Sequence, residues 1–261
     1  MSLTDAQKQG LYRDGYVVLP QAVAAERVGA ALRSINAALG EGGMPPERLG
    51  EFRSRSYCPE LCGEAPIVDR LREGPWAAAE AAVGAGALRP VGRGQIALRF
   101  PVSGEARQPG AHLDGMHSPS NGVAAGTIAN FTALVGVFLS DVPGPQSGNF
   151  TVWPGTHRLF EHHFRDHGPQ SLLRGMPDVE MPAPRQLEVR AGDAVLCHYQ
   201  LAHGVAGNAA PHIRYAVFFR LHHVDHDAVH WECMTDIWRE WAGMRDVVAS
   251  AEPERVVAPR T

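Results

Sequence analysis

The residues with the most chemical content in this chain are His112-Leu113-Asp114, His203 and Arg214. In an extended strand, side chains two residues apart leave the same face. The His-x-Asp step therefore directs an imidazole and a carboxylate at one point while Leu113 turns away. A second imidazole completes a set of two histidines and one carboxylate. On a six-coordinate metal this set leaves three positions open, the arrangement by which non-haem Fe(II) oxygenases admit a cosubstrate and O₂. An arginine downstream can hold the far carboxylate of a cosubstrate such as 2-oxoglutarate, because its planar fork matches a carboxylate bidentately.

Such a set needs strands to present it, and the chain supplies them in its second half. From Gly94 onward short apolar stretches alternate with Pro/Gly turns, which predicts strands over residues 95–100, the His-x-Asp segment, 127–139, 150–153, 187–189, 194–198 and 213–221. The first half reads as helical. Thr4 and Asp5 are a helix N-cap signal, residues 7–14 a short helix ended by Gly15, and residues 16–20 a strand. Helices are expected over 24–39, where Val28, Leu32, Ile35 and Leu39 recur at helical spacing, and over 66–83, with a Gly/Pro-rich loop to about Gly50 between them. A last amphipathic helix is predicted over 229–244, carrying Trp231, Met234, Trp238 and Trp241 near one face. The expected fold is mainly β with a helical shell: a helical part over 1–93, a double-stranded β-helix (jelly-roll, cupin-like) core over 94–221 and the terminal helix, in one domain.

Thirteen histidines make chance matches common, and His223-Val224-Asp225 repeats the pattern. That copy lies near the end of the strand region, with only His226 and His230 after it, so no later strand would bring a third ligand. The cluster from His222 to His230 reads as surface or helix-entry residues. For the second imidazole, His198 and His203 compete. His198 ends an alternating strand and fits a core position, or a donor behind the ligands. His203 is followed by Gly204, Asn208, Pro211 and then Arg214 at the opening of the next strand, and that order selects His203. Arg214 shares a strand face with Ala216 and Phe218, leaving room for a guanidinium inside the barrel. A buried arginine needs an anion, either a ligand carboxylate or an internal acid.

Composition narrows the partners. The 261 residues, 44% hydrophobic, suffice for a sizeable core. A net charge of -4 provides no general basic field, which argues against nucleic acid and leaves a small molecule as the expected ligand. Lys8 is the only lysine among the 24 basic residues. Neither a secretory n-region and apolar stretch nor a membrane-length apolar run is present, so a cytoplasmic location is expected, with no membrane partner. Cys58, Cys62, Cys197 and Cys233 are too few for a disulfide framework and read as ordinary thiols.

Taken together, His112-Leu113-Asp114-Gly115, the turn Ser147-Gly148-Asn149-Phe150-Thr151-Val152-Trp153-Pro154-Gly155-Thr156-His157, and Gly192-Asp193 through His203-Gly204, Asn208 and Arg214 resemble the phytanoyl-CoA dioxygenase family of Fe(II)/2-oxoglutarate oxygenases. The opening Tyr12 to Pro20 is similar to that family's start, so the resemblance covers roughly residues 4–221 in order. It implies iron ligation by His112, Asp114 and His203, with Arg214 on the distal carboxylate of 2-oxoglutarate. Gln95, on one strand face with Ala97 and Arg99, matches a polar position that often reaches the cosubstrate. Thr127, Thr151 and Trp153 are further candidates for that pocket. One departure is Val205, where family members often carry a serine that helps bind the cosubstrate. Thr127 or Gln95 is then expected to share the carboxylate with Arg214. His117 and Asn121, in the loop after Asp114, together with His157 and Arg99, are candidate substrate contacts, although Pro154 to Thr156 also reads simply as a turn capped by Thr156.

The chemistry implied by the resemblance is oxidation of an unactivated C–H of a small, secondary-metabolite-like substrate, with O₂ consumed and 2-oxoglutarate converted to succinate and CO₂. Retention of Asp114 argues against halogenation, because related halogenases vacate that position for chloride. Hydroxylation and oxidative ring closure both remain open, since relatives in natural-product pathways include oxidative cyclases. The rival reading is a metal-binding barrel without oxygenase activity: a small-molecule binding protein, or a Zn(II) or Mn(II) enzyme of cupin type. Such a protein would have no need of Arg214.

Overall fold

The chain's structure is a computed structural model that describes residues 2–69, 72 and 74–251. Helix α1 (Asp5–Asp14) begins at a reciprocal capping box. The Thr4 hydroxyl accepts from the Gln7 amide at 3.2 Å, and the Gln7 side chain accepts from the Thr4 amide at 2.9 Å. Gly15, at φ 81°, ends the helix in the left-handed region and turns the chain into strand β1 (Tyr16–Leu19). Helices α2 (Ala25–Gly42), α3 (Leu49–Ser54), α4 (Ala65–Val68) and α5 (Gly74–Val83) follow. The expected loop to Gly50 thus includes the start of α3. The helix expected over 66–83 is two helices, separated by residues of which three (70, 71 and 73) lie outside the described set.

The strands are β2 (Gln95–Arg99), β3 (Ala133–Phe138), β4 (Phe150–Val152), β5 (Arg185–Gln186), β6 (Ala194–His198), β7 (His203–Val205) and β8 (Arg214–Leu221). They form a five-stranded sheet in the order β1-β6-β3-β8-β2 and a three-stranded sheet in the order β5-β4-β7, with every pairing antiparallel. Among the described residues, strand pairing does not close the two sheets into a barrel. Alternation divides the large sheet cleanly. Val17, Leu19, Ile96, Leu98, Val135, Leu196, Val217 and Phe219 pack outward against the helices. Leu134, Phe138, Val195, Cys197, Ala216 and Phe218 face inward and meet Phe150 and Val152 of the small sheet. Gln95, Ala97 and Arg99 share that inner face of β2, and Arg99 stands opposite Arg214 in the register.

Several expected elements differ. The His-x-Asp segment is not a strand; it touches β7 through a single bridge, His112 to His203. The strand expected over 127–139 shortens to β3, because residues 127–132 form a loop. Residues 187–189 contribute only the Val142 to Val189 bridge beside β5. Helix α6 (Thr156–His167) stands where a turn was expected, entered through Gly155 at φ 82°.

The terminal helix over 229–244 does not form. In its place are α7 (His226–Val229), two 3-10 turns and α8 (Arg245–Ala251). The cause is packing in two directions: Trp231 and Met234 join Phe160, Phe164 and Leu113, while Trp238, Trp241 and Met244 join the core under the helices. Carbonyls that a continuous helix would use internally are also taken from outside. Asn130 donates to His230 O at 2.7 Å and Arg165 to Thr235 O at 2.6 Å.

Candidate functional site

Asp114 sits in the turn after the His112 bridge, and Gly115 makes that turn feasible: at φ 83° it lies so close to Ala129 that a Cβ would meet the Ala129 carbonyl oxygen at 2.5 Å. The partner segment is held just as closely. His112 N donates to His203 O at 2.9 Å, His203 N donates to His112 O at 3.1 Å, and a Cβ on Gly204 would strike the Gly110 carbonyl oxygen at 2.2 Å. Only glycine allows these two backbones to approach so nearly.

This contact brings together His112, Asp114 and His203, whose ligand atoms lie within 4.8 Å of one another. The Asp114 Oδ1 is 3.5 Å from His112 Nε2 and 3.7 Å from His203 Nε2. A metal with bonds of about 2.1 Å to donors at right angles needs them about 3 Å apart, so the set is close to ligating geometry. The tautomer also fits. His203 Nδ1 lies 3.0 Å from Leu201 O, a carbonyl that can only accept, so Nδ1 carries the proton and Nε2 offers a lone pair to the shared point. Desolvation by the cavity walls first, and then His203, push His112 below its ordinary value although its side chain is 51% exposed, and so favour the neutral imidazole that ligation needs. Burial alone would raise Asp114. The Arg220 guanidinium, 2.7 Å away, outweighs it and holds the carboxyl well below the usual range, ionised as a hard-metal ligand requires.

The triad opens into a cavity of about 1040 Å³ lined by the inner face of β2 (Gln95, Ala97, Arg99), by Leu134, Phe150, Val205 and Phe218, and by the loop from Met116 to Val123. Arg220 lines it too. Its Nη2 donates to Asp114 Oδ2 at 2.7 Å and its Nη1 to Gln95 Oε1 at 3.0 Å, so Asp114 keeps only Oδ1 for a metal. Sequence reasoning missed this residue although the signal was present: two residues beyond Arg214, Ala216 and Phe218 on the same face of β8 comes Arg220.

Arg214 is 1% exposed and lies behind the cavity wall rather than in it. It donates to Gly148 O at 2.9 Å through Nε and to Ala97 O at 3.1 Å through Nη1, while Nη2 has no partner. Burial, reinforced by the charge of Arg99, lowers it to about 9. No acid contacts it among the described residues, so the internal salt bridge is not found, and the unused nitrogen fits an incoming carboxylate.

The other expected site residues divide. Gln95, Arg99, His117 and Asn121 line the cavity. Asn121, however, spends its amide on the loop itself, accepting from Ser118 N and Val123 N and donating to Met116 O. His117 donates through Nδ1 to Val123 O at 2.6 Å and retains Nε2.

Four candidates are not at the site. Thr127 is exposed on a turn, bonded to Ala124 O. Thr151 and Trp153 alternate with Phe150 and so face away from the cavity; Thr151 bonds Asn149 O, and Trp153 packs on Phe160 and Phe164. His157 is fully buried under α1, where its Nε2 donates to Tyr12 O at 3.0 Å. His198 faces the helical side with both nitrogens used, Nε2 donating to Ile237 O and Nδ1 accepting from Gln200 N, which makes it a core histidine. In the late cluster His226 is buried rather than exposed, paired with Glu240 at 3.0 Å.

No family model and no curated protein matches the chain. Solved structures do match. The non-heme alpha-ketoglutarate-dependent carbocyclase SnoK from nogalamycin biosynthesis is 21% identical, with a TM-score of 0.55 over 84% of this chain and 83% of its own. HygX from Streptomyces hygroscopicus, with nickel and 2-oxoglutarate bound, is 19% identical, with a TM-score of 0.56 over 85% of this chain and 88% of its own. EctD from S. alaskensis, with 2-oxoglutarate and 5-hydroxyectoine, is 17% identical, with a TM-score of 0.56 over 85% and 77%. The chain shares their fold, cupin-like antiparallel sheets with helices. No helix among the described residues is long and apolar enough to cross a membrane.

Proposed function

We propose that this chain is a cytoplasmic, single-domain Fe(II)/2-oxoglutarate-dependent oxygenase on a jelly-roll core. It oxidises a C–H bond of a small, secondary-metabolite substrate by hydroxylation or ring closure, with succinate and CO₂ as coproducts. The carrying observation is the pairing of two unmet needs in one region. Three ligand atoms converge with a lone pair and an ionised carboxylate available, and nearby a buried guanidinium has an unused nitrogen and no anion. A metal alone would answer the first need; only a metal with an anionic cosubstrate answers both. The fold shared with HygX and EctD, which hold 2-oxoglutarate, and with the carbocyclase SnoK, supports this reading.

In it, His112, Asp114 and His203 hold Fe(II), which with 2-oxoglutarate and O₂ supplies the oxidising power that protein side chains lack. Arg220 fixes the second Asp114 oxygen and keeps the carboxylate monodentate. Arg99 takes the part left vacant by Val205. It faces the cavity beside Arg214 with no acid in contact among the described residues, whereas Gln95 is committed to Arg220 and Thr127 lies elsewhere. Phe150, Val205 and Phe218 give the cavity apolar walls that exclude water from the reacting carbon.

The test is an anaerobic titration of metal-free protein with Fe(II) and 2-oxoglutarate, following the weak visible charge-transfer band of the chelate. A band that needs both components, and that requires at least about tenfold more 2-oxoglutarate in Arg214→Ala and in Arg99→Leu, is the expected result. Absence of the band with Fe(II) demonstrably bound would leave the non-oxygenase metal barrel in its place.

A further inference from the structure

The cavity wall carries two carboxylates, and both are already matched. Glu51 lies 3.6 Å from Arg55 and 3.5 Å from Arg48, and Asp114 lies 2.7 Å from Arg220. Arg53, Arg93 and Arg99 also line the cavity, and among the described residues none of them contacts an acid. The cosubstrate of the proposed reaction accounts for Arg99 together with Arg214, because its distal carboxylate is a single group at that end of β2. It leaves Arg93 and Arg53 unanswered.

Their positions differ. Arg53 lies at the Arg99 end, close enough for its charge to act on Arg99. Arg93 precedes β2 at the opposite end of that strand, which spans about 13 Å at the usual rise per residue. There it borders a side groove of about 300 Å³ that shares Arg93 and Arg220 with the main cavity. Arg89 and His222 also line the groove, but Arg89 is matched by Asp227 at 2.8 Å and burial, with His226 beside it, holds His222 toward the neutral form. The groove's uncompensated positive charge is therefore Arg93, and its link to the metal-ligand side of the cavity is Arg220, which it shares with the main cavity and which holds Asp114 at 2.7 Å.

We infer that the substrate is an acid: its carboxylate, or phosphate or sulfate ester, seats in the side groove against Arg93 while its carbon skeleton extends over the metal ligands, with Arg53 drawing the anion into the mouth. Guanidinium pairs with such oxyanions in a planar, bidentate way that fixes orientation as well as affinity. A seat of this kind holds one end of the substrate and thereby selects which C–H faces the metal. The inference rests on the oxygenase reading for what happens to the substrate, but the seat itself can be measured without turnover.

The experiment is calorimetric titration, without oxygen and at low salt, of protein saturated with Ni(II) and 2-oxoglutarate. Matched probes are used: phenyl phosphate against phenol, and benzoate against benzamide. The acids are expected to bind at least about tenfold more tightly than their neutral partners, an advantage that shrinks with added salt. It should vanish in Arg93→Met, persist in Arg93→Lys, and fall partway in Arg53→Met. A larger gain for phenyl phosphate identifies an ester-type handle, and a larger gain for benzoate a carboxylate. Equal binding of acids and neutral partners, or a preference that survives Arg93→Met, would overturn the seat. The Fe(II) band recorded on the same preparations separates the two readings: its loss with the acid preference intact sinks the oxygenase and spares the seat, and the converse sinks the seat alone.

Discussion

Two histidine-rich regions of this molecule look alike in composition and differ in what their nitrogen atoms have to do. On the cavity wall, His112, Asp114 and His203 converge with ring nitrogens turned toward one another and toward open space. In the seam between the large sheet and the C-terminal segment, His226, Cys233 and Glu240 also bring their ligand atoms within 4.8 Å. There, however, Glu240 already accepts from the Thr132 hydroxyl at 2.6 Å and pairs with His226, and His226 and Glu240 are both buried. Nearby His198 has both nitrogens engaged, between Trp238 and Trp241. A ligand set is therefore recognised by unspent lone pairs facing a space, and residue type and proximity do not suffice. The seam buries its ion pair, and the wall leaves the His112 and His203 Nε2 atoms and Asp114 Oδ1 facing the cavity.

The sharpest way to break the comparison is to remove one carboxylate from each region. Asp114→Ala should abolish metal retention, measured by elemental analysis, and lower succinate formation by at least about a hundredfold, whereas Glu240→Gln should keep one metal per chain. Metal retained in Asp114→Ala, or lost in Glu240→Gln, would exchange the roles of the two regions. The next effect lies in stability. Glu240→Ala strands the Thr132 hydroxyl and the His226 imidazole and should cost about 2–3 kcal/mol in denaturant melts, while Asp114→Ala, on an open cavity, should cost less.

A smaller effect comes from pH. Burial pushes His198 down to about 4, and burial with the nearby His198 pushes His157 well below its ordinary 6.5. The unfolded chain then binds the protons that the native fold refuses. The stability these groups contribute is complete above about pH 6.5 and falls by about 1.4 kcal/mol per histidine for each unit below it, until the folded value is reached near 4 for His198. Melts between pH 7.5 and 4.5 should show this slope, and His198→Gln should flatten it. An unchanged slope in that variant would mean that His198 does not set it.

The wall was more legible in the sequence than the seam. His112, Asp114 and His203 do come together as spacing and order lead one to expect, though through a bridge and turn rather than a strand, and alternation puts Arg214 on the inner face of β8; Gln95 was reached through the family resemblance. Thr151 and Trp153, which the resemblance offers for the pocket, face away from it, because Phe150, one residue away, holds the inner face. The C-terminal helix failed because its aromatic stripe serves two cores, a fact of tertiary structure invisible to periodicity. Net charge is equally silent about distribution: a chain at -4 overall gathers five arginines around one cavity.

The paired backbone hydrogen bonds between His112 and His203 carry a further consequence. Two of the three candidate ligands are fastened to each other through main chain, so capture of an ion by this group would demand little loss of chain entropy. On the proposed reading, loading and unloading an ion would then be reversible traffic at a finished socket, with no need for the chain to refold between them.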